Sequence, residues 1–394
     1  MSNQQSPRRT ALAISAYPPS VGGAQFWAQR LAHELVGLGQ SVSVFTQWRT
    51  TRNDWVRAAT EATPANAAND SDDGIDVHIV GLSGERGLDA PMRALYLPLR
   101  PWSARYFEQR LTPIEGSFDA VHVVRVGREH LALAAHDFAR KHELPFILTP
   151  LHHPRWSRRW WPDHVWRRLY RSADLLNALT NVEANMLVDL GVQQERIQVL
   201  GVGAHLTEQA EAPDAVTNET PFLLFLGQQF PYKRLDLAVT AFEAVAKTHT
   251  ELRLVVAGPP HVKGSECVLR SPQRERIETL GPVSESEKAW LLRNASALIF
   301  PSEQESFGGV IVEAAMSFCP VVTGANQQVA EVVKTLKWGT TTNGTTEQVA
   351  EAVRNLLDHP PGRDQAATAR QSAIEHFSWS ALAQKYDQGL SALP

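Results

Sequence analysis

The stretch 296–324, SALIFPSEQESFGGVIVEAAMSFCPVVTG, constrains this chain more than any other. It reads as a short apolar run from Ala297 to Phe300, a break at Pro301, a helix, and a second apolar run opening at Pro320. Two short buried runs joined by one helix are the crossover unit of a parallel sheet. Within it, Glu305 and Glu313 stand eight residues apart, with Phe307, Gly308 and Gly309 between them. A glycine costs about 1 kcal/mol inside a helix, so the pair belongs at the first turn. Glu305 then falls in the loop before the helix, and Glu313 about one turn inside it. Between them lies a helix N-terminus with unpaired N–H groups and no side chains over it, a setting that suits phosphate.

The same rhythm runs through the rest of the chain. ALAISAY (11–17) is a buried strand that ends in PPSVGG. A helix follows from about Ala24 to Val36, closed by Gly37 and Gly39, and SVSVFT (41–46) is the next strand. Further strands are expected at 75–80, 120–125, 145–150, 173–180 and 196–203, with a helix over 129–142. A polar stretch, 205–221, lacks periodicity and marks a domain boundary, after which strands resume at 221–227 and 252–258. The handover from strand to helix at Gly22 and Gly23 lies at a carboxyl sheet edge, where open α/β folds bind ligands. The dinucleotide fingerprint GxGxxG is absent, against a nicotinamide enzyme. The Asn- and Asp-rich stretch 47–74 reads as a long loop insertion. Its Asp70, Asp72 and Asp73 mimic a metal-binding DxD, but in a loop rather than at a buried strand end, so no metal site is assigned.

Composition narrows the class. With 394 residues the chain has room for two domains. At 43% hydrophobic and 20% charged residues it is of ordinary globular composition, and a net charge of −4 gives no general attraction to nucleic acid. Cys267 and Cys319 have neither metal-site nor redox spacing and read as reduced thiols of a cytosolic protein. The start, MSNQQSPRRT, is not followed by a signal-peptide core. No apolar stretch approaches the roughly 20 residues of a membrane span, so any membrane contact is expected to be peripheral, on the inner face.

ESFGGVIVE, with PS before it and EAAMSFCPVV after it, resembles the E-x7-E motif of retaining, nucleotide-sugar-dependent glycosyltransferases of family 4. The resemblance implies a GT-B fold: two Rossmann-like parallel-sheet domains facing each other across a cleft. The expected division is an acceptor-side domain over 1–203, a linker over 204–220, a nucleotide-sugar domain over 221–376, and a terminal helix over 377–394 that crosses back. It further implies that Glu305 contacts the transferred sugar and that Glu313 holds the ribose hydroxyls. The N–H groups of Phe307, Gly308 and Gly309 would meet sugar and diphosphate, Gly22 and Gly23 would face the diphosphate, and Lys233 would bind phosphate. Gly281 to Ser284 resembles the family's base-holding stretch. No cofactor or metal is implied beyond the nucleotide-sugar substrate.

Two departures from the family pattern stand out. The loop GQQFPYKR (227–234) carries Gln228 where relatives carry an arginine, leaving Arg234 or another base to compensate. Val124 occupies the place of a site histidine, while His122 reads as a core residue. The missing histidine is expected instead from TPLHHP (149–154), with His153 as the catalytic-site candidate and His152 its competitor. Next comes RWSRRWWPDHVWRRLYR (155–171), in which Trp156, Arg158, Arg159, Trp160 and Trp161 suit a membrane headgroup layer or a sugar acceptor cleft. A packed surface helix is the third reading. The function expected is transfer of a sugar to a glycan or lipid-linked acceptor in surface-polysaccharide or glycolipid synthesis. A non-catalytic sugar-nucleotide-binding subunit and a nucleotide-sugar epimerase are the alternatives.

Overall fold

The computed structural model describes residues 7–20, 22–49, 69–80, 100–109, 114–125, 129–151, 164–216 and 220–393. Two sheets carry the fold. The first comprises β1 (Arg9–Ala16), β2 (Ser41–Trp48), β3 (Asn69–Asp72), β4 (Ile75–Ile79), β5 (Ala120–Val124), β6 (Phe146–Thr149), β7 (Leu175–Ala178) and β8 (Ile197–Val199). Its spatial order is β3-β4-β2-β1-β5-β6-β7-β8. The second comprises β9 (Phe222–Leu226), β10 (Arg253–Ala257), β11 (Ile277–Gly281), β12 (Ala297–Phe300), β13 (Val321–Thr323) and β14 (Thr340–Thr341), in the order β11-β10-β9-β12-β13-β14. Among the described residues every pairing is parallel except β3 with β4. In both sheets the order reverses beside the first strand of the half, so the loops after β1 and β9 open at switch points.

Strands such as β9 (FLLFL) and β5 (AVHVV) are buried along their whole length, as central strands covered on both faces must be. Helix Gly23–Gly37 places Trp27, Ala28, Leu31, Ala32 and Leu35 against the first sheet. Helix Leu235–Val245 does the same for the second with Leu235, Ala238, Val239, Phe242 and Val245. The stretch 47–74 is not wholly a loop: Asn69–Asp72 pairs antiparallel with β4 as an edge strand. The strand forms because Asp72 is anchored, accepting hydrogen bonds from Tyr17 Oη at 2.8 Å and Gln29 Nε2 at 3.1 Å, with His33 Nε2 at 3.0 Å.

The chain passes between the two sheets twice. Outbound, segment 200–204 lies beside residues 377–379: Ala204 N–H donates to the Phe377 carbonyl at 2.7 Å. A Cβ at Gly203 would collide with the Trp379 ring at 2.2 Å, so only glycine permits this approach. On the return, helix Arg363–Phe377 is followed by helix Trp379–Ser391. Trp379, Leu382, Ala383, Tyr386 and Leu390 of the latter join the core formed with Trp27, Leu31 and Leu35. A third link is polar. Glu331, in helix Gln327–Leu336, accepts hydrogen bonds from the Asn181 and Val182 N–H groups at 2.7 and 3.0 Å. A carboxylate of one half thus caps helix Asn181–Asp189 of the other.

His122 lies wholly inside the first half. Its Nε2 meets Thr149 Oγ1 at 2.7 Å, and its ring packs between Trp27 and Tyr386. Its other ring nitrogen has no hydrogen-bond partner among the described residues, which leaves this core histidine half satisfied there. Burial pushes its pKa down to about 3. Val124 is buried at the end of β5 and offers no group to a site.

Candidate donor site

The carboxyl ends of β9 and β12 are neighbours, so the loops 227–234 and 301–308 meet. They are stitched by Glu303 N–H donating to the Tyr232 carbonyl at 2.9 Å, and by Asn326 Nδ2 donating to the Glu303 carbonyl at 3.1 Å. Arg234 has a left-handed backbone (φ 58°) at the start of helix Leu235–Val245. Its guanidinium binds Asp236 at 3.0 Å and Glu303 at 2.6 Å. Arg234 thus already carries two carboxylates, where Lys233 carries one. Gln228 itself is exposed; the buried side chain of this loop is Gln229, which donates to the Gly258 carbonyl at 3.1 Å and accepts from Ser265 Oγ at 2.6 Å.

Helix Gly309–Met316 starts behind Gly308, which is left-handed at φ 85°. A Cβ at Gly308 would press on Ile311 Cδ1 at 3.1 Å and on the Phe300 ring at 3.3 Å, so glycine is required on both counts. The Ile311 N–H is taken by the Gly308 carbonyl, while the N–H groups of Gly309 and Val310 belong to the first turn, which has no intrahelical acceptor. The Phe307 side chain faces away from any ligand: it is 3% exposed and packs edge-on against Phe377, so only its backbone can serve a site. Glu305 stands in the loop, joined to the Lys233 ammonium by a short ion pair. The Lys233 nitrogen also lies 5.6 Å from the ring centres of both Tyr232 and Phe300.

Glu313 sits one turn into the helix and is bridged by Lys288 Nζ at 2.9 Å, which also reaches Glu285 at 2.8 Å. Lys288 had no sequence signal beyond an i,i+3 relation to Glu285. What aims it is the capping box at Ser284: Glu287 N–H donates to Ser284 Oγ at 3.2 Å and the Glu287 carboxylate accepts from Ser284 N–H at 2.7 Å. Burial pushes the Glu313 carboxyl above its usual range, and the Lys288 ammonium draws it partly back. For Lys288, burial works downward, but Glu313 and Glu285 outweigh it and hold the ammonium above its ordinary value.

In the first half, Gly22 and Gly23 lie where β1 hands over to helix Gly23–Gly37, with Gly22 as N-cap. A Cβ on Gly22 would strike the Gln25 side chain, whereas Gly23 has open space. His152, His153, Trp156, Arg158, Arg159, Trp160 and Trp161 lie outside the described residues; the histidines follow directly on Leu151 at the carboxyl end of β6. Among the described residues, His33, Asp72 and Asp73 have metal-ligand spacing. Both Asp72 oxygens already accept hydrogen bonds from neighbours, and these outweigh burial to hold its carboxyl below the usual range. The group therefore reads as an anchor for the β3–β4 hairpin. No helix among the described residues is long and apolar enough to cross a membrane.

Two parallel-sheet halves, the second with a bare helix N-terminus at its carboxyl edge, have the architecture of the GT-B fold. Comparison with known proteins bears this out. The family model "Glycosyl transferase 4-like domain" matches residues 22–203, and "Glycosyl transferases group 1" matches 207–373. The chain belongs to the family 4 glycosyltransferases of the GT-B fold. Among curated relatives, the D-inositol 3-phosphate glycosyltransferase of Nocardia farcinica is 26% identical over 94% of this chain and 85% of that protein. The Kineococcus radiotolerans protein of the same name is 29% identical over 55% of this chain. That match spans 57% of the Kineococcus protein, and a 31% identical match to the Mycobacterium marinum protein of the same name spans 47% of it, whereas the Nocardia match spans 85%. Of solved structures, sucrose-phosphate synthase from Thermosynechococcus elongatus superposes with a TM-score of 0.69 at 16% identity, over 97% of this chain and 98% of that one. Anabaena Alr3699/HepE in complex with UDP gives 0.70 at 16% identity, over 98% of this chain and 100% of that one.

Proposed function

We propose that the chain moves a sugar from a nucleoside-diphosphate donor to an acceptor hydroxyl with retention of anomeric configuration, without a metal. The observation that carries this reading is the Lys233–Glu305 pair beside the bare N-terminus of helix Gly309–Met316, with Glu313 one turn inside. On this reading the donor diphosphate takes Lys233 and the N–H groups of Phe307, Gly308 and Gly309. Glu305 turns to a sugar hydroxyl and Glu313 accepts from the ribose. As the bond from the anomeric carbon to the phosphate oxygen breaks, the ammonium and the helix amides carry the leaving charge. The acceptor oxygen attacks from the face the phosphate leaves, and a phosphate oxygen takes its proton. His153 is the candidate to hold a sugar hydroxyl, and the glycines at 22 and 23 let the first half close on the diphosphate.

The acceptor is a glycan, a lipid-linked saccharide or, by analogy with the named relatives, an inositol phosphate. The described end of 155–171 has the pattern of a packed surface helix, so contact of that segment with the inner face of a membrane rests on its sequence composition. In helix His164–Ser172, Trp166, Leu169 and Tyr170 are buried, while Arg167, Arg168 and Arg171 are exposed and lack ion-pair partners among the described residues. Nucleotide release from a panel of donors, with and without a lipid extract, tests the proposal. Acceptor-dependent release supports it; donor binding with no release under any condition overturns it.

A further inference from the structure

We propose that Lys288 is a positioning residue that keeps the Glu313 carboxylate ionised and aimed so that it can accept both hydroxyls of the donor's ribose. This rests on the reading of Glu313 given above. A cis-diol donates two hydrogen bonds. An ionised carboxylate accepts both, whereas a protonated one offers one good acceptor and an unwanted donor. Glu313 sits where ionisation is costly, since its side chain is only 17% exposed and helix Gly309–Met316 buries both flanks of it in Ile311, Val312, Ala314 and Ala315.

The ammonium 2.9 Å away offsets that cost, and its own placement is fixed twice over: by the capping box that sets the first turn of helix Glu285–Asn294, and by Glu285, which holds it from the solvent side at 2.8 Å. Several other charged groups on or beside the packed elements are engaged elsewhere. Glu331 of helix Gln327–Leu336 binds Asn181 and Val182, Arg370 of helix Arg363–Phe377 lies over the Phe318 ring, and Lys233 holds Glu305. Lys288 attracts the Glu313 charge and Glu285 repels it, both from one helix.

The test is calorimetric affinity for UDP and for GDP between pH 6 and 9, on wild type, Lys288→Met, Lys288→Arg and Glu313→Gln, with circular dichroism confirming the fold of each. Glu313→Gln, run at every pH, removes the titration of the nucleotide itself. At neutral pH, Lys288→Met is expected to bind about tenfold more weakly, approaching Glu313→Gln, and to recover toward wild type as pH rises and Glu313 ionises. Lys288→Arg should retain most of the affinity. Wild-type affinity in Lys288→Met at every pH, or a loss that does not change with pH, overturns the proposal. Wild-type affinity in Glu313→Gln would instead remove the ribose reading beneath it.

Discussion

Replacing Lys233 by Ala is the perturbation from which most follows. Its side chain is 18% exposed and opposes that of Glu305 at 13%, so the pair sits in a partly desolvated loop junction. Unit charges 4 Å apart at an effective dielectric of 20 interact by about 4 kcal/mol. Partial exposure reduces this to roughly 3 kcal/mol, which a donor diphosphate would lose with the lysine. At about 1.4 kcal/mol per decade, kcat/KM for donor should fall on the order of 100-fold. The same change strips Glu305 of its partner, which costs stability about 1–3 kcal/mol. Thermal unfolding must therefore be recorded beside initial rates of nucleotide release at saturating acceptor. Lys233→Arg should restore part of the rate, and Glu305→Gln should bind nucleoside diphosphate as well as wild type while turning over more slowly. A folded Lys233→Ala protein with kcat/KM within threefold of wild type would refute the assignment of Lys233 to phosphate.

Gly308→Ala forces a Cβ into a left-handed position against Ile311 and Phe300. Chemical denaturation should show a loss of about 1–2 kcal/mol, together with weaker nucleotide binding because the first turn shifts. Glu331→Ala removes the carboxylate that caps helix Asn181–Asp189 across the two halves, with an expected loss of about 1–2 kcal/mol in the same assay and no change in the pH profile of donor binding. His122 has a folded pKa of about 3, below its unfolded value near 6.5, so the unfolded chain binds more protons between those limits. Stability is then full above about pH 6.5 and falls by up to about 4 kcal/mol toward pH 3. Denaturation of His122→Asn at pH 4 and pH 7 should show a smaller difference than wild type.

The sequence made the architecture readable because its central strands are apolar runs and many of its helices begin at glycine, serine or threonine. The helix start at Gly308 and the loop position of Glu305 were legible for the same reason, since glycines state their cost locally. What escaped was pairing over long range. That Arg234 is occupied depends on Glu303 arriving from a loop some seventy residues on, and the hold of Lys288 on Glu313 spans two helices. The strand at Asn69–Asp72 escaped because NDSD has poor strand propensity; it is held by Tyr17, Gln29 and His33, none of which is near it in sequence. Gln229, not its neighbour Gln228, proved to be the buried residue of its loop, a distinction that depends on where the chain turns rather than on composition.

The most direct measurement is a crystal structure of the protein soaked with UDP or GDP. The account predicts diphosphate oxygens at the N–H groups of Gly308 and Gly309 and at Lys233 Nζ, the Lys233–Glu305 pair opened, and ribose hydroxyls on Glu313. A nucleotide bound elsewhere, with Lys233 still closed on Glu305, would contradict it.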